Sequence, residues 1–332
     1  MQPALDSTLE CVEDAVLAPW LDLHPSPFFV LNELVSAPVH VKCEAFNVAG
    51  SIKMKPARRM LDDMEKRGAL TTKSRLIESS SGNLGIALAM VAASRGYSFV
   101  CVTDPNASQE SIKMIRAVGA QVIVVNKKDA EGGYLGTRIE LIRAMCRDDP
   151  SLIWINQYAN PSNWLAHYDS TAPEILGEMG KVDLLFVGAG TTGTLMGCIR
   201  YFKEFSPATR IVAVDAEGSV TFGTPAGRRR IPGLGTSCTP PILDRSLVSD
   251  VIHVPERETI RMCLRLAKRG LLVGGSTGTV LAGVVAYGDR IRADMRVAAI
   301  MPDLGEKYLD TIYNEQWVAM HFGDEFTETA TA

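Results

Sequence analysis

The sequence is poor in the residues that build metal sites and cross-links. Its seven cysteines, at positions 11, 43, 101, 146, 198, 238 and 263, form no C-x-x-C pair, and its five histidines fall into no metal-ligand spacing. A zinc module and a disulfide framework are set aside, and thiols buried in a reducing cytoplasm are expected. Excess positive charge is missing too: the formal net charge is −4, unlike the basic balance of a nucleic-acid binder. No membrane span is expected. The longest uncharged stretch, Leu271 to Gly288, holds five glycines and a central Ser276, Thr277 and Thr279, which reads as strand, loop and helix. The start carries Asp6, Glu10, Glu13 and Asp14 and no basic segment, unlike a signal peptide. No repeat of solenoid period is present.

What is present is a composition of 46% hydrophobic and 22% charged residues, that of a globular enzyme, over 332 residues, a length that predicts two domains. Apolar, β-prone runs at 40–44, 75–78, 98–103, 121–125, 152–155, 183–187, 210–215, 251–254, 271–273 and 296–301 alternate with helical patterns, among them 85–94, 108–118, 134–147, 170–177, 256–268 and 278–290. This alternation predicts an α/β protein with parallel sheets and helices on both faces, whose ligands bind beyond the carboxyl ends of the strands. Ser79–Asn83, Gly188–Thr194, Gly274–Thr279 and Asp303 fall at such ends. Residues 217–247 are too long and irregular for an ordinary connection, which marks a functional loop.

The chain is organised around Glu44–Ala57, centred on Lys53. Gly50-Ser51 precedes the lysine, and Met60, Leu61 and Met64 form one buried helical face that Gly68 ends. Ser51 is expected to cap this helix and place Lys53 in its first turn, where the dipole disfavours an ammonium. A neutral amine forms Schiff bases with aldehydes. Alone, the stretch reads first as a solvated lysine at an exposed helix start. Gly188–Thr194 also has two readings. Its backbone amides and the hydroxyls of Thr191, Thr192 and Thr194 suit a phosphate. Its Gly188, Gly190 and Gly193 also satisfy G-x-G-x-x-G, and Asp215 then sits where a ribose-binding acid belongs, the pattern of a dinucleotide-binding oxidoreductase.

Six motifs in order carry a resemblance. Asn47–Lys53 resembles N-P-x-G-S-x-K, Ser81-Gly82-Asn83 an S-G-N loop, and Gln157–Pro161 Q-x-x-N-P; Gly188–Thr194 resembles a phosphate loop, Gly274–Gly278 G-G-S-x-G, and Pro302–Tyr308 P-D-x-G-x-x-Y. Together, across about residues 40–310, they resemble the fold-type II pyridoxal-phosphate enzymes of the cysteine synthase and cystathionine β-synthase family. The resemblance implies a tryptophan synthase β-like fold: two parallel-sheet α/β domains with the cofactor between them. A smaller, mobile substrate-binding domain would span 45–155, a larger phosphate-binding domain 1–44 plus 156–320, and a mobile tail 321–332. Lys53 would hold pyridoxal 5'-phosphate as a Schiff base and move protons. Asn83 would bond its ring hydroxyl, Gly190, Thr191, Thr192, Gly193 and Thr194 its phosphate, and Ser276 its ring nitrogen. Ser80, Ser81, Asn83 and Gln157 would hold the substrate carboxylate.

Two departures narrow the branch. Met54-Lys55 stands where cysteine synthases have Asp-Arg, and Ser80-Ser81-Gly82-Asn83-Leu84 stands for their T-S-G-N-T. These forms, with Thr103–Asn106 and Asp129–Arg138, resemble the branch serving staphyloferrin B-type siderophore pathways. That resemblance implies loss of phosphate from O-phospho-L-serine to give an aminoacrylate, addition of the L-glutamate α-amine, and a separate dehydrogenase that later releases 2,3-diaminopropionate. A homodimer acting on small amino-acid substrates is implied. A phosphate leaving group needs a donor fork, for which Arg138 is the candidate; Tyr158 is a candidate substrate contact. Arg228-Arg229-Arg230 could attract glutamate's carboxylates, though a charge run is equally a solvated face. A cysteine or cystathionine synthase using sulfide or homocysteine is the alternative.

Overall fold

Leu184–Gly188 and Val297–Met301 are unbroken apolar runs, the composition of parallel strands covered on both faces, whereas Val39–Cys43 alternates apolar residues with His40 and Lys42. The computed structural model describes residues 19–129, 133–323 and 326. In chain order its elements are β1 Phe28–Leu31, β2 Val39–Cys43, α1 Met54–Lys66, β3 Arg75–Ser79, α2 Asn83–Ser94, β4 Ser98–Thr103, α3 Gln109–Ala117, β5 Gln121–Val124, α4 Leu135–Asp148 and β6 Leu152–Trp154. There follow α5 Ser162–Ala166, α6 Ala172–Met179, β7 Leu184–Gly188, α7 Gly193–Phe205, β8 Arg210–Ala216, β9 Asp250–Val254, α8 Glu256–Ala267, α9 Gly275–Ala286, β10 Val297–Met301 and α10 Glu315–Phe322. α10 carries the chain through residue 322; residues 324, 325 and 327–332 of the expected tail lie outside the described residues.

Two sheets form, as the alternation predicts. One runs β1-β2-β10-β7-β8-β9 and the other β5-β4-β3-β6. Every pairing is parallel except β1 with β2. Strand order reverses on either side of β3 in the smaller sheet. In the larger one β10 is inserted between β2 and β7, so the ends of β2, β10 and β7 sit side by side, the arrangement that opens a ligand crevice. α2 and α9 are apolar on nearly all sides and buried on nearly all sides.

Three expectations are corrected. Leu271–Val273 is not a strand: Val273 makes only a bridge to Leu304, and the Tyr313 hydroxyl accepts from its N–H (3.0 Å) and donates to its carbonyl (2.6 Å), satisfying backbone that a ladder would otherwise need. The helix placed at 170–177 begins at Ser162 and passes through a π turn, His167–Thr171, before α6. Ser51 does not cap α1. It is drawn into an antiparallel bridge with Asp303, its hydroxyl has no hydrogen-bond partner, and α1 starts at Met54 with Lys53 as the residue before it.

Candidate active site

β2 and β10 end side by side at Cys43 and Met301, and the segments that follow them meet again at Ser51 and Asp303, two residues before the lysine. Ile52 N–H donates to the Pro302 carbonyl (2.8 Å), which fixes the turn just before Lys53. The Lys53 carbonyl accepts from Ala57 N–H (3.0 Å), while its ammonium makes no hydrogen bond or ion pair among the described residues. Burial lowers its pKa to about 8, and the Asp303 carboxylate works against that shift. Desolvation thus raises the neutral fraction of the amine near neutral pH, while the ammonium still predominates at pH 7. Beneath it lies a buried ion cluster. Lys55 Nζ donates to Glu44 (2.8 Å), Glu174 (3.1 Å) and Thr171 Oγ1 (3.2 Å), and Lys42 Nζ donates to Glu174 (2.5 Å). Lys55 therefore anchors the first turn of α1.

Beyond β7 the chain turns tightly through Gly188–Thr194 into α7. Thr192 adopts φ 64°, a left-handed conformation unusual for a β-branched residue. A Cβ at Gly190 would lie 2.7 Å from the Gly233 carbonyl, and one at Gly193 would strike the Asn163 amide. Thr191 Oγ1 accepts from Asn163 Nδ2 (3.0 Å). Thr194 Oγ1 contacts His167 Nε2 (3.2 Å), and His167 Nδ1 contacts Thr171 Oγ1 (3.1 Å). Burial, then the Lys55 and Lys53 charges, hold His167 well below the usual histidine range, so the imidazole is neutral. Thr192 Oγ1 is buried without a partner. A tight glycine cradle, an orphaned hydroxyl and the amides opening α7 fit a phosphate group.

Ser79–Asn83 joins β3 to α2. Ser80 Oγ accepts from Gly85 N–H (2.9 Å) and Gly82 N–H (3.3 Å), so that hydroxyl orders its own loop. Ser79 Oγ is buried and unpartnered, and Ser81 is partly exposed. Gln157 is tied to the same strand end: its Nε2 donates to the Ser79 carbonyl (2.8 Å), and its N–H donates to Glu78 Oε2 (3.0 Å). Glu78 also accepts from Ser79 N–H (2.7 Å), yet burial pushes its pKa up to about 7. Asn83 Nδ2 donates to Asp303 Oδ2 (2.8 Å). Ser276, in the first turn of α9, is buried, and any Cβ at Gly233 would collide with its hydroxyl.

Arg138 is not a solvated helix-start arginine. It is 7% exposed, pairs with Asp104 (3.3 Å), and leaves Nε and Nη1 without hydrogen bonds. Tyr158 lies within its field; burial raises the phenol to about 12 against the pull of Arg138. The three arginines separate. Arg228 is exposed, Arg229 donates to the Gly218 (2.6 Å) and Thr236 (3.1 Å) carbonyls and ties the long loop together, and Arg230 lies over the Phe322 ring.

Lys53, Asn83, Ser276 and the phosphate loop are brought together through Asp303 and Gly233. Asp215 is fully buried, with one oxygen bonded to Ala216 N–H (2.9 Å), and cannot meet a ribose. The sequence reading missed Asn163, His167, Thr171 and Glu78. The signal for the first three was a four-residue spacing, one polar helix face turned to Thr191 and Thr194.

Residues 21–303 match the family described as pyridoxal-phosphate dependent enzyme. Two curated relatives are called N-(2-amino-2-carboxyethyl)-L-glutamate synthase. That of Ralstonia nicotianae is 42% identical over 285 residues, and that of Cupriavidus metallidurans 43% over 288; each alignment covers 85% of this chain and 84% of the relative. A solved O-ureido-L-serine synthase superposes with TM-score 0.82 at 31% identity, covering 94% of this chain and 98% of that one.

Proposed function

The chain belongs to the pyridoxal-phosphate-dependent enzyme family, and on that premise we propose that it joins O-phospho-L-serine to the α-amine of L-glutamate, giving N-(2-amino-2-carboxyethyl)-L-glutamate and phosphate. The observation that carries the choice of substrates is 42–43% identity, over 85% of the chain, to two enzymes of that name.

Bound in this crevice, pyridoxal phosphate supplies an aldehyde for amines and a ring that accepts the electron pair released when a substrate bond breaks. The residues of the chain do the rest. Lys53, its pKa lowered to about 8 by burial, would hold the cofactor through its aldehyde and would take the α-proton of the donor. Gly190, Thr191, Thr192, Gly193 and Thr194 hold the cofactor phosphate, with Thr194 oriented by neutral His167. The Ser276 hydroxyl meets the ring nitrogen without a carboxylate's charge. Ser80, Ser81, Asn83 and Gln157 receive the substrate carboxylate, Ser80 through its loop backbone. The spare donors of Arg138, with Tyr158, receive the phosphate that leaves the β-carbon.

The smaller sheet carries the substrate loop and the larger sheet the phosphate loop. A mobile unit over 45–155 and a larger one over 1–44 plus 156–320 would thus close on the substrate. A cytoplasmic homodimer, a place in siderophore assembly and a partner dehydrogenase releasing 2,3-diaminopropionate belong to the same reading. No helix among the described residues is long and apolar enough to cross a membrane.

The test is phosphate release from O-phospho-L-serine by the purified protein, with the product weighed by mass spectrometry. Glutamate-dependent turnover giving the glutamate adduct is expected. Turnover only with sulfide or homocysteine would keep the family and replace this activity with cysteine or cystathionine synthesis.

A further inference from the structure

Asp303 takes no part in the roles above, yet every cofactor-facing segment except the phosphate loop meets at it. Its backbone bridges Ser51, two residues before Lys53. Its carbonyl accepts from Gly274 N–H (3.1 Å) and from Thr277 Oγ1 (2.9 Å), on the two sides of Ser276. Its Oδ2 accepts from Asn83 Nδ2 (2.8 Å) and from the Tyr308 hydroxyl (2.6 Å). Its Oδ1 is buried without a partner, and the residue has no solvent exposure. A Cβ at Gly274 would drive into this carboxylate, so the glycine is needed for its approach.

A carboxylate is an unusual group to bury here. Desolvation raises its pKa, the Glu306 charge adds to the rise, and the Lys307 ammonium and the Tyr308 and Asn83 donors oppose it in part. The bond to Asn83 also crosses from the span between β10 and α10 to the start of α2, joining the larger sheet's site segments to the smaller sheet's. Asn83 has two amide hydrogens. One is committed to Asp303, which fixes the rotation of the amide and leaves the second hydrogen in a defined direction.

We propose that Asp303 is a positioning residue: its carboxylate orients the Asn83 amide toward the ring hydroxyl of the cofactor, from a backbone that the Lys53 and Ser276 segments hold in place. This rests on the reading that Asn83 faces that hydroxyl. A donor at the ring oxygen favours its ionised form, which absorbs at long wavelength, so the colour of the bound cofactor reports the orientation.

The test compares Asp303→Ala, Asp303→Asn and Asn83→Ala holoenzymes by visible spectrum, by cofactor retention on dialysis and by thermal melting. Asp303→Ala should shift absorbance from the long-wavelength to the near-ultraviolet band as Asn83→Ala does, and should weaken cofactor retention about three- to tenfold, the worth of one hydrogen bond. Asp303→Asn, whose carboxamide oxygen still accepts from Asn83, should keep the parent spectrum even if its melting point falls. A parent-like spectrum and retention in Asp303→Ala, beside a shifted Asn83→Ala, would overturn the inference and leave the site intact. A parent-like spectrum in Asn83→Ala would overturn the inference together with the reading it rests on.

Discussion

Replacing Lys55 by methionine should destabilise the chain more than any surface charge removal, although Lys55 never touches substrate. Its ammonium is buried and bonds Glu44, Glu174 and Thr171, while Glu44 is 1% exposed and Glu174 is shared with Lys42. Methionine keeps most of the packing and removes the charge. Two carboxylates then face one remaining cation, Lys42, whose contact with Glu44 is long at 3.5 Å. Breaking a buried pair from one side costs about 3–5 kcal/mol, because the partner charge is left uncompensated. At about 2.1 cal/mol/K of unfolding entropy per residue, 332 residues give ~700 cal/mol/K, so this cost lowers the melting point by about 4–7 °C if the chain melts as one unit. Differential scanning calorimetry at pH 7.5 measures it. Adding Glu44→Gln, which removes the stranded charge, should recover more than half of the loss. A melting point within about 1 °C of the parent, or no recovery in the double variant, would refute the account of the cluster.

Other outcomes follow from the same geometry. Lys53 should react with an amine-directed reagent in the cofactor-free chain with a midpoint near pH 8, because its pKa is lowered from the ordinary lysine value; a midpoint above pH 10 in a mass-resolved labelling profile would contradict the burial argument. Glu78 has a folded pKa raised from 4.5 to about 7. Between those values the folded chain binds a proton that the unfolded chain does not, so its contribution to stability falls as pH rises from 5 to 8. Relative to Glu78→Gln, the parent should lose on the order of 3 kcal/mol across that range, and parallel stability curves would reject the shift. Arg138→Lys keeps the charge opposite Asp104 but loses the fork; kcat/KM for O-phospho-L-serine should fall about a hundredfold, and that for O-acetyl-L-serine much less. Equal losses would remove Arg138 from the leaving-group site.

The sequence was most legible where function requires unusual local chemistry. The Gly188–Thr194 turn, the Ser-Gly-Asn loop and Asp303 all lie just beyond strand ends, as alternation alone predicts. It was least legible where a side chain's meaning depends on distant partners. Lys55 stands in the sequence only as a departure from Asp-Arg, and its role appears once Glu174, 119 positions away, is brought beside it. His167 and Asn163 were missed because the segment after Pro161 was given no helix before Ser170, so their four-residue spacing had no face to define. Leu271–Val273 has strand composition, and only the tertiary contact with the Tyr313 hydroxyl shows why it joins no ladder. Arg228–Arg230, uniform as a run, divides into a solvated residue, a loop clamp and an aromatic-stacked residue, a division set by the fold of 217–247.

The central claim is that Lys53 works through pyridoxal phosphate on O-phospho-L-serine and then on L-glutamate. Its most direct test is the visible spectrum of the purified yellow protein during ordered addition of the two amino acids. The account predicts that O-phospho-L-serine changes the spectrum with release of phosphate, that L-glutamate restores it, and that Lys53→Ala shows no such cycle. A spectrum indifferent to O-phospho-L-serine, or one restored by sulfide and not by glutamate, would contradict it.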